Sequence, residues 1–572
     1  MAIDDQTYGT LLPRKLTACT IVLSLVLLYL FSTVVALQPI VKLDYASYRG
    51  VRLADGVTQW LGMRYTAAPV GDLRFAAPQD PATVRRIQAA DKHGRICLAT
   101  GDDPTNLLTS EDCLFIEVYA PSRASVKSRL PVYFFIHGGG FNSNANPNYN
   151  GRGLIAASDH EIVIVTFNYR LGPYGFLASR QIRESPTASL NNGLKDQRKA
   201  LEWVQKYIHH FGGDPDHVVL GGDSAGAASI ALHLTAFGGR NDGLFVGAAA
   251  ESVSFATVLT PEESQYQYDT FVERLGCTSS PRDVHREDNT LACLRSKSAA
   301  ELQTHNRNIP YPGARNPPLF MWNPVIDDDL IQNLSYAAFD SGSFIHVPVI
   351  FGDDTNGGTI FTPRTTSSSE QSSTFLHDQF PYLTNDHLRR IDDLYPNTGP
   401  RFPHSGSWWR QVSNAYGDIR YMCPTLFVSS ALSRHGLQGN WNYRYNVEDP
   451  AQMDQGLGVP HTVELGAIWG PDNVHGAVPA SYRAGESNAW IIPVMQGYWT
   501  SFIRALDPNV FRVEGSPLWE EFSTPTQDGG AEDKAQRRML FDKSHTTRME
   551  KVSTSTRARC RYFGEIGAAI RQ

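Results

Sequence analysis

Gly222-Asp223-Ser224-Ala225-Gly226 is the stretch that decides the fold. It follows the apolar run 217–220 and precedes a stretch of small and apolar residues, 227–232. A β-branched run, a sharp turn flanked by glycines and a helix-forming segment are typical of a nucleophile elbow. Such a turn is strained, and it needs glycines because strand and helix nearly touch there. We therefore expect the Ser224 hydroxyl to stand above a sheet, at the start of a helix.

The segments around the elbow predict a doubly wound sheet. Several apolar runs without alternation are typical of strands buried on both faces. The predicted strands are 130–136, 162–167, the run before Ser224, 244–250 and 347–351. Helices are predicted from Asn192 to about Ile208 and from Ile491 to Arg504, whereas the Ser- and Thr-rich stretch 365–374 is predicted to be an exposed loop. The fold class is therefore α/β, with a mostly parallel central sheet and helical insertions.

Composition and charge exclude several classes of protein. The 572 residues carry a formal net charge of -7, with 41% hydrophobic and 19% charged residues. These values are ordinary for a globular chain with ample core, and they differ from those of a disordered one. The acidic balance argues against a nucleic-acid partner. We find no C-x-x-C metal spacing and expect neither a metal nor a cofactor.

The first 37 residues are predicted to be a targeting segment. Arg14 and Lys15 precede the span 16–37, which contains 22 residues and no charge. About 20 apolar residues cross a bilayer, and basic residues before such a span predict a cytoplasmic N-terminus. Residues 34–36 end like a signal-peptidase site, although a cleaved peptide usually has an apolar stretch of roughly 7–15 residues. A signal peptide and an uncleaved signal anchor both stay open, and either places the rest of the chain in the secretory pathway, secreted or membrane-anchored.

From residue 40 to about 563 the chain resembles the type-B carboxylesterase/lipase family, which includes the cholinesterases. The motifs that carry the resemblance are 73–75 (LRF), 111–114 (EDCL), 137–141 (HGGGF), 168–170 (NYR), 211–215 (FGGDP), the elbow, 324–327 (PVID) and His461. Filamentous-fungal members look most similar, through the stretch 458–464 (GVPHTVE). The resemblance implies a single α/β-hydrolase domain over residues 38–572.

The same resemblance implies most of a serine-hydrolase site. Ser224 would be the nucleophile and His461 the general base, in the order expected for α/β-hydrolases. Gly139 and Gly140 suit an oxyanion hole, because backbone N–H groups approach a substrate carbonyl most closely where no side chain intervenes. The N–H of Ala225, directly after the nucleophile, would be the third donor.

The acid of the triad is where the sequence departs from the family pattern. The family has a glutamate in a pattern like G-D-x-x-D-E-G-T, whereas Gly357 occupies that position here. We predict that Glu251, at the end of the strand after the elbow helix, supplies the carboxylate. Asp353 or Asp354 with a shifted loop, or no acid at all, are the alternatives. An enzyme without the acid would lose about 10⁴ in rate.

Of the seven cysteines, Cys19 lies in the predicted targeting segment. The other six, an even number, and one sequon fit an oxidising compartment. The resemblance implies the disulfides Cys97–Cys113 and Cys277–Cys293, which leaves Cys423 and Cys560 as the remaining pair. Asn333 begins an N-glycosylation sequon.

The predicted activity is serine carboxylic-ester hydrolysis through an acyl-enzyme, on a small or medium uncharged ester. A secondary metabolite is one candidate substrate. The loop between Cys97 and Cys113 has no Trp, whereas cholinesterases carry their choline-stacking Trp there, which argues against a quaternary-ammonium substrate. A non-catalytic binding or adhesion protein is the alternative from another class. An acyltransferase or lactone-remodelling enzyme would use the same site.

Overall fold

A computed structural model describes residues 39–278, 289–399, 401–476, 478–524, 536–543 and 545–572. The predicted targeting segment, residues 1–37, lies outside these described residues. Within them, no helix combines the length and the apolar composition that crossing a bilayer requires.

The secondary structure alternates between strands and helices over most of the chain. In chain order the strands are β1 (Ile40–Lys42), β2 (Ser47–Arg49), β3 (Val51–Arg52), β4 (Val57–Arg64), β5 (Ile87–Ala89), β6 (Ile96–Cys97), β7 (Thr109–Ser110), β8 (Phe115–Pro121), β9 (Leu130–Ile136), β10 (Val163–Phe167), β11 (Gly213–Asp223), β12 (Gly247–Glu251), β13 (Val349–Asp354), β14 (Asn440–Asn446), β15 (Arg537–Asp542) and β16 (Thr546–Lys551). The α-helices are α1 (Arg152–Ala157), α2 (Gly172–Phe176), α3 (Arg180–Glu184), α4 (Asn192–Tyr207), α5 (Ala225–Gly239), α6 (Gln265–Arg274), α7 (Asn289–Ser296), α8 (Ala299–His305), α9 (Ser335–Asp340), α10 (Ser369–Gln379), α11 (Asn385–Leu394), α12 (Trp409–Gly417), α13 (Cys423–Arg434), α14 (Pro450–Asp454), α15 (Leu465–Ile468), α16 (Ile491–Ala505), α17 (Thr554–Glu565) and α18 (Gly567–Ile570). A π-helical turn, Asp418–Met422, joins α12 to α13.

Eleven strands of the described chain form one sheet, in the order β16-β15-β14-β13-β12-β11-β9-β10-β8-β4-β3. The neighbours from β15 to β10 are paired in parallel. The strands at the two ends pair antiparallel. This confirms the predicted mostly parallel α/β sheet. The carboxyl ends of the central strands meet at one edge, where open α/β sheets place their ligands.

Both faces of the central strands are buried, which explains the unbroken apolar sequence of β9. In β9, Val132 and Phe134 belong to the core on one face, and Tyr133 and Phe135 to the core on the other. Helices α4 and α5 contribute to the first core and α16 to the second. Helices α4 and α16 lie where the sequence predicts them, since their apolar residues recur with the helical period and face the sheet.

The stretch 365–374 is not a loop throughout, and that prediction was wrong for its second half. Helix α10 begins at Ser369, and the Ser368 hydroxyl caps it by accepting a hydrogen bond from the Gln371 N–H at 3.2 Å. Phe375 and Leu376 are buried one turn further on. Serine-rich composition hid the helix, because serine favours both loops and helix N-caps.

Candidate active site

The elbow has the strained geometry that its sequence predicts. Ser224 adopts φ 54° and ψ -116° immediately before α5, a conformation that a non-glycine residue rarely adopts. A Cβ on Gly226 would lie 1.9 Å from the Ile136 carbonyl oxygen, and a Cβ on Gly222 would lie 2.7 Å from the Gly226 carbonyl carbon. Only glycine fits at these two positions, because β9, β11 and α5 converge there. The Ser224 N–H is held by the Glu251 carbonyl at 2.9 Å.

The glycine-rich loop after β9 lies directly against the nucleophile. A Cβ on Gly138 would lie 2.9 Å from the Ser224 Cβ. The Gly138 N–H donates to Asp223 Oδ1 at 2.8 Å, and the Tyr149 hydroxyl donates to the same oxygen at 3.1 Å. Burial raises the pKa of Asp223 to about 7. The residue before the nucleophile therefore fixes the loop at the carboxyl edge of the sheet.

Gly139 and Gly140, the predicted oxyanion-hole residues, have tied carbonyl groups and unpaired N–H groups within the described chain. Both have positive φ, 99° and 62°, where a side chain is strained. The Gly139 carbonyl accepts the Asn142 and Ser143 N–H groups at 3.0 Å, and the Gly140 carbonyl accepts Asn142 Nδ2. Neither the Gly139 nor the Gly140 N–H donates a hydrogen bond to another described residue. Tied carbonyls and free N–H groups are the pattern of an anion-binding loop.

His461 lies on the loop between β14 and α15 and packs among aromatic rings. Its imidazole stacks on Tyr421, with ring centroids 4.0 Å apart, and meets Phe361 at 5.4 Å. Both ring nitrogens are buried and without a hydrogen-bond partner among the described residues. Burial, followed by the positive charge of Arg420, lowers the pKa of His461 to about 3. The imidazole is therefore neutral, as a general base must be.

Glu251, the predicted acid, ends β12 but makes no hydrogen bond to His461. Its Oε1 accepts the Tyr133 hydroxyl at 3.2 Å and the Trp499 indole N–H at 3.0 Å. Burial, followed by the neighbouring Glu464, raises the pKa of Glu251 well above its usual range. The carboxyl group lies among side chains of the core under α16, and this environment favours a neutral structural acid.

Asp354 contacts the segment that carries His461 through a hydrogen bond, whereas Glu251 does not. Glu251 pairs in register with Gly352, so Asp354 lies two residues, about 7 Å, nearer the carboxyl edge. Its Oδ2 accepts the N–H of Thr462, the residue after His461, at 2.6 Å, and the Ser252 hydroxyl at 3.0 Å. Its Oδ1 is buried with no partner among the described residues. An unpaired carboxylate oxygen and an unpaired imidazole thus lie on hydrogen-bonded neighbouring segments.

A second carboxyl group shares this position. The Ser252 hydroxyl also lies 3.0 Å from Glu464 Oε1, and the Tyr443 hydroxyl donates to that oxygen at 3.2 Å. Burial, followed by the proximity of Glu464, raises the pKa of Asp354, and burial raises the pKa of Glu464. Two buried carboxyl groups this close oppose each other's ionisation, so the pair does not readily hold two negative charges.

The other sequence candidates for the acid are placed elsewhere. Asp353 points to the opposite face of the sheet, where it lies 3.8 Å from Arg538. At Gly357, a Cβ would lie 2.9 Å from the Tyr421 ring. Tyr421 therefore occupies the space that a glutamate side chain at this position would enter, and the same ring stacks on His461.

Sequence reasoning missed Tyr421, Ser252 and Glu464. Tyr421 lies in the π-helical turn, and such turns are frequent at functional sites, but no sequence signal marks one. Ser252 follows Glu251 directly and has φ 54°. Glu464 lies three residues after His461, within the stretch 458–464 that supported the family resemblance. That short spacing from the predicted base was the one sequence signal that could have placed Glu464 near the site.

All three disulfides are formed as expected, Cys97–Cys113, Cys277–Cys293 and Cys423–Cys560. Asn333 is exposed at the surface. In the described part of the chain, no group of three or more His, Cys, Asp or Glu side chains could hold a metal ion.

The parallel sheet, the elbow serine and the glycine loop define an α/β-hydrolase. A model of the carboxylesterase family matches residues 37–552. The chain therefore belongs to the carboxylesterase family and is a carboxylic-ester hydrolase.

Individual relatives agree with this family. Secreted lipase 4 of Gibberella zeae is 29% identical over 507 residues, which cover 84% of this chain and 87% of the lipase. Para-nitrobenzyl esterase of Bacillus subtilis is 29% identical over 496 residues, which cover 84% and 93% of the two chains. The crystal structure of Aspergillus niger EstA superposes with a TM-score of 0.87 at 42% identity, covering 94% of this chain and 99% of that one. These matches confirm the predicted resemblance and the α/β-hydrolase fold.

Proposed function

We propose that this esterase works through a triad of Ser224, His461 and Asp354. The observation that carries the assignment is the hydrogen bond from the Thr462 N–H to Asp354 Oδ2. It ties the carboxyl group to the segment of the base, while Asp354 Oδ1 and both His461 nitrogens stay unpaired. Glu251 remains a prediction from sequence that its bonds to Tyr133 and Trp499 do not support.

In the first half of the reaction, Ser224 Oγ attacks the ester carbonyl and His461 Nε2 takes the hydroxyl proton. Asp354 orients the imidazole by accepting the Nδ1 proton, so that Nε2 presents its lone pair to the serine. The N–H groups of Gly139, Gly140 and Ala225 stabilise the oxyanion. The imidazolium then gives its proton to the leaving alcohol, and an acyl-enzyme remains on Ser224.

In the second half, water attacks the acyl-enzyme while His461 accepts its proton, and the acid is released with Ser224 restored. Acyl transfer to an alcohol, or opening and remodelling of a lactone, would differ only in the nucleophile of this half. The aromatic wall of Phe361, Tyr421 and Phe320 beside His461 supports a small or medium ester with an apolar portion.

The chain is also proposed to pass through the secretory pathway. The three disulfides support an oxidising compartment, and the Gibberella relative carries the name secreted lipase. N-terminal sequencing of the mature protein decides between the two leader hypotheses. A start near Gln38 identifies a signal peptide, and an intact N-terminus in the membrane fraction identifies an anchor.

Covalent labelling by a fluorophosphonate tests the triad's nucleophile. The expected result is fast labelling of the wild type and none of Ser224→Ala. Ser229→Ala is the matched control, because this serine lies in the same helix and donates to the Ala225 carbonyl at 2.9 Å; it should be labelled at a rate near that of the wild type. Wild-type labelling no faster than Ser224→Ala would contradict the proposal and favour a binding protein.

A further inference from the structure

Arg420 is a buried cation near the proposed catalytic residues. The proposed reaction does not use it. It lies in the π-helical turn between α12 and α13, directly before Tyr421. Its exposed fraction is 5%, close to the 8% of Ser224 and the 7% of His461.

The charge of Arg420 has no counterion in the described part of the chain. Its Nη2 donates to the Ser254 hydroxyl at 2.9 Å, Nε is buried without an acceptor, and no described carboxylate lies within 4.0 Å. The other buried arginines of the described chain each have a carboxylate partner. These pairs are Arg74–Glu111, Arg170–Asp196 and Arg538–Glu550.

An unpaired guanidinium is costly to bury, because it loses its hydration without gaining an opposite charge. Among the four buried arginines of the described chain, only Arg420 is buried without an opposite charge. Structural positions that need only packing or one hydroxyl contact are filled more cheaply by neutral side chains. The arrangement therefore points to an anion that binds from outside the chain.

The guanidinium lies close to the reacting groups. Ser254, which accepts the hydrogen bond from Arg420, also contacts the nucleophile: its N–H donates to the Ser224 carbonyl at 3.2 Å. The Phe320 ring lies 6.0 Å from the Arg420 guanidinium carbon, and a Cβ on Gly140 would lie 2.2 Å from that same ring. Arg420 is thus linked to the elbow through Ser254 and to the oxyanion loop through Phe320.

We propose that Arg420 binds a carboxylate group on the ester substrate, so that the preferred substrates are half-esters or esters with a free acid group. This inference rests on the proposed function and revises the sequence prediction of an uncharged ester. The planar guanidinium pairs with a carboxylate through two parallel hydrogen bonds. The guanidinium is 5% exposed beside the Phe320 ring, and a pair formed in so buried a place is stronger than one in water.

The test compares kcat/KM for matched anionic and neutral esters on the full-length enzyme. The acyl-side pair is the 4-nitrophenyl monoester of adipic acid and 4-nitrophenyl heptanoate. The alcohol-side pair is 4-acetoxybenzoate and its methyl ester. We expect the anionic member of one pair to be preferred by about 10- to 100-fold, the usual strength of a charge-assisted hydrogen bond.

Variants connect that preference to Arg420. Arg420→Gln should reduce the anionic-to-neutral ratio at least tenfold, and Arg420→Lys should keep part of it. Arg504→Gln is the control, because Arg504 also packs on an aromatic ring, Phe511 at 3.8 Å, but belongs to α16 on the far face of the sheet; its ratio should equal that of the wild type.

Two outcomes overturn the inference. One is a wild type without preference in either pair, a result that needs no variant to fold. The other is a preference that Arg420→Gln retains. In both cases, hydrolysis of the neutral esters and fluorophosphonate labelling still report on the proposed triad. Failure of the triad would abolish both signals. Failure of the carboxylate site alone would leave both signals in place.

Discussion

Replacing Asp354 by Asn tests the most specific claim about the triad. Asp354 Oδ2 is committed to Ser252 and Thr462, so the amide oxygen should take that position and the amide NH₂ should replace Oδ1. An NH₂ group can only donate to His461. It would therefore favour the tautomer with the proton on Nε2, which cannot accept the proton of Ser224.

The expected loss follows from this geometry. A wrong tautomer with an intact nucleophile and oxyanion hole costs about 10⁴ in kcat, or about 5 kcal/mol of transition-state stabilisation. Glu251→Gln should cost less than tenfold, because Glu251 Oε1 accepts the Tyr133 and Trp499 hydrogen bonds and glutamine can accept the same two.

The assay is kcat and kcat/KM on a 4-nitrophenyl ester for both variants, at equal concentrations of folded protein. The melting temperature and the near-UV circular dichroism check that each variant is folded. If Glu251→Gln loses 10³ or more while Asp354→Asn loses less than tenfold, the assignment of Asp354 is refuted and Glu251 is the acid. Small losses in both variants would mean that His461 works without an orienting carboxylate.

Two further predictions concern the oxyanion loop and acid stability. Gly140→Ala should lower kcat by about 10²–10³, since its Cβ would lie 2.2 Å from the Phe320 ring at a φ of 62°; Gly71→Ala, at φ 59° in open space, is the control, and an equal loss there would contradict the reasoning. Burial lowers the pKa of His233 to about 3, so the stability present above its unfolded value of about 6.5 is lost as the pH falls towards 3. Chemical unfolding at pH 8 and pH 5 should show His233→Gln gaining about 2 kcal/mol relative to the wild type at the lower pH, and an unchanged difference would contradict a neutral buried imidazole.

The central sheet, the elbow and the oxyanion loop could be predicted from local sequence. Strand β9 and the segment 218–220 of β11 are continuous apolar runs because both faces of the sheet are covered there. The glycines at 222 and 226 are demanded by the contact of one turn with β9. Each of these features is fixed by neighbouring residues, so a short stretch carries the whole signal.

The surroundings of the candidate acids and of the buried cation were decided only by the tertiary structure. Glu251 and Asp354 are both carboxylates at the ends of neighbouring strands, and nothing local distinguishes them. Their roles depend on the register of β12 against β13, on Trp499 from α16 and on the loop that brings Thr462 to Asp354. No sequence signal distinguishes Arg420 from the other arginines. It is a candidate binding residue because the π-helical turn places its guanidinium out of contact with every carboxylate of the described chain. Sequence therefore determined which reaction the chain can perform, while the long-range packing determined the surroundings of each carboxyl group and of Arg420, on which the two proposals rest.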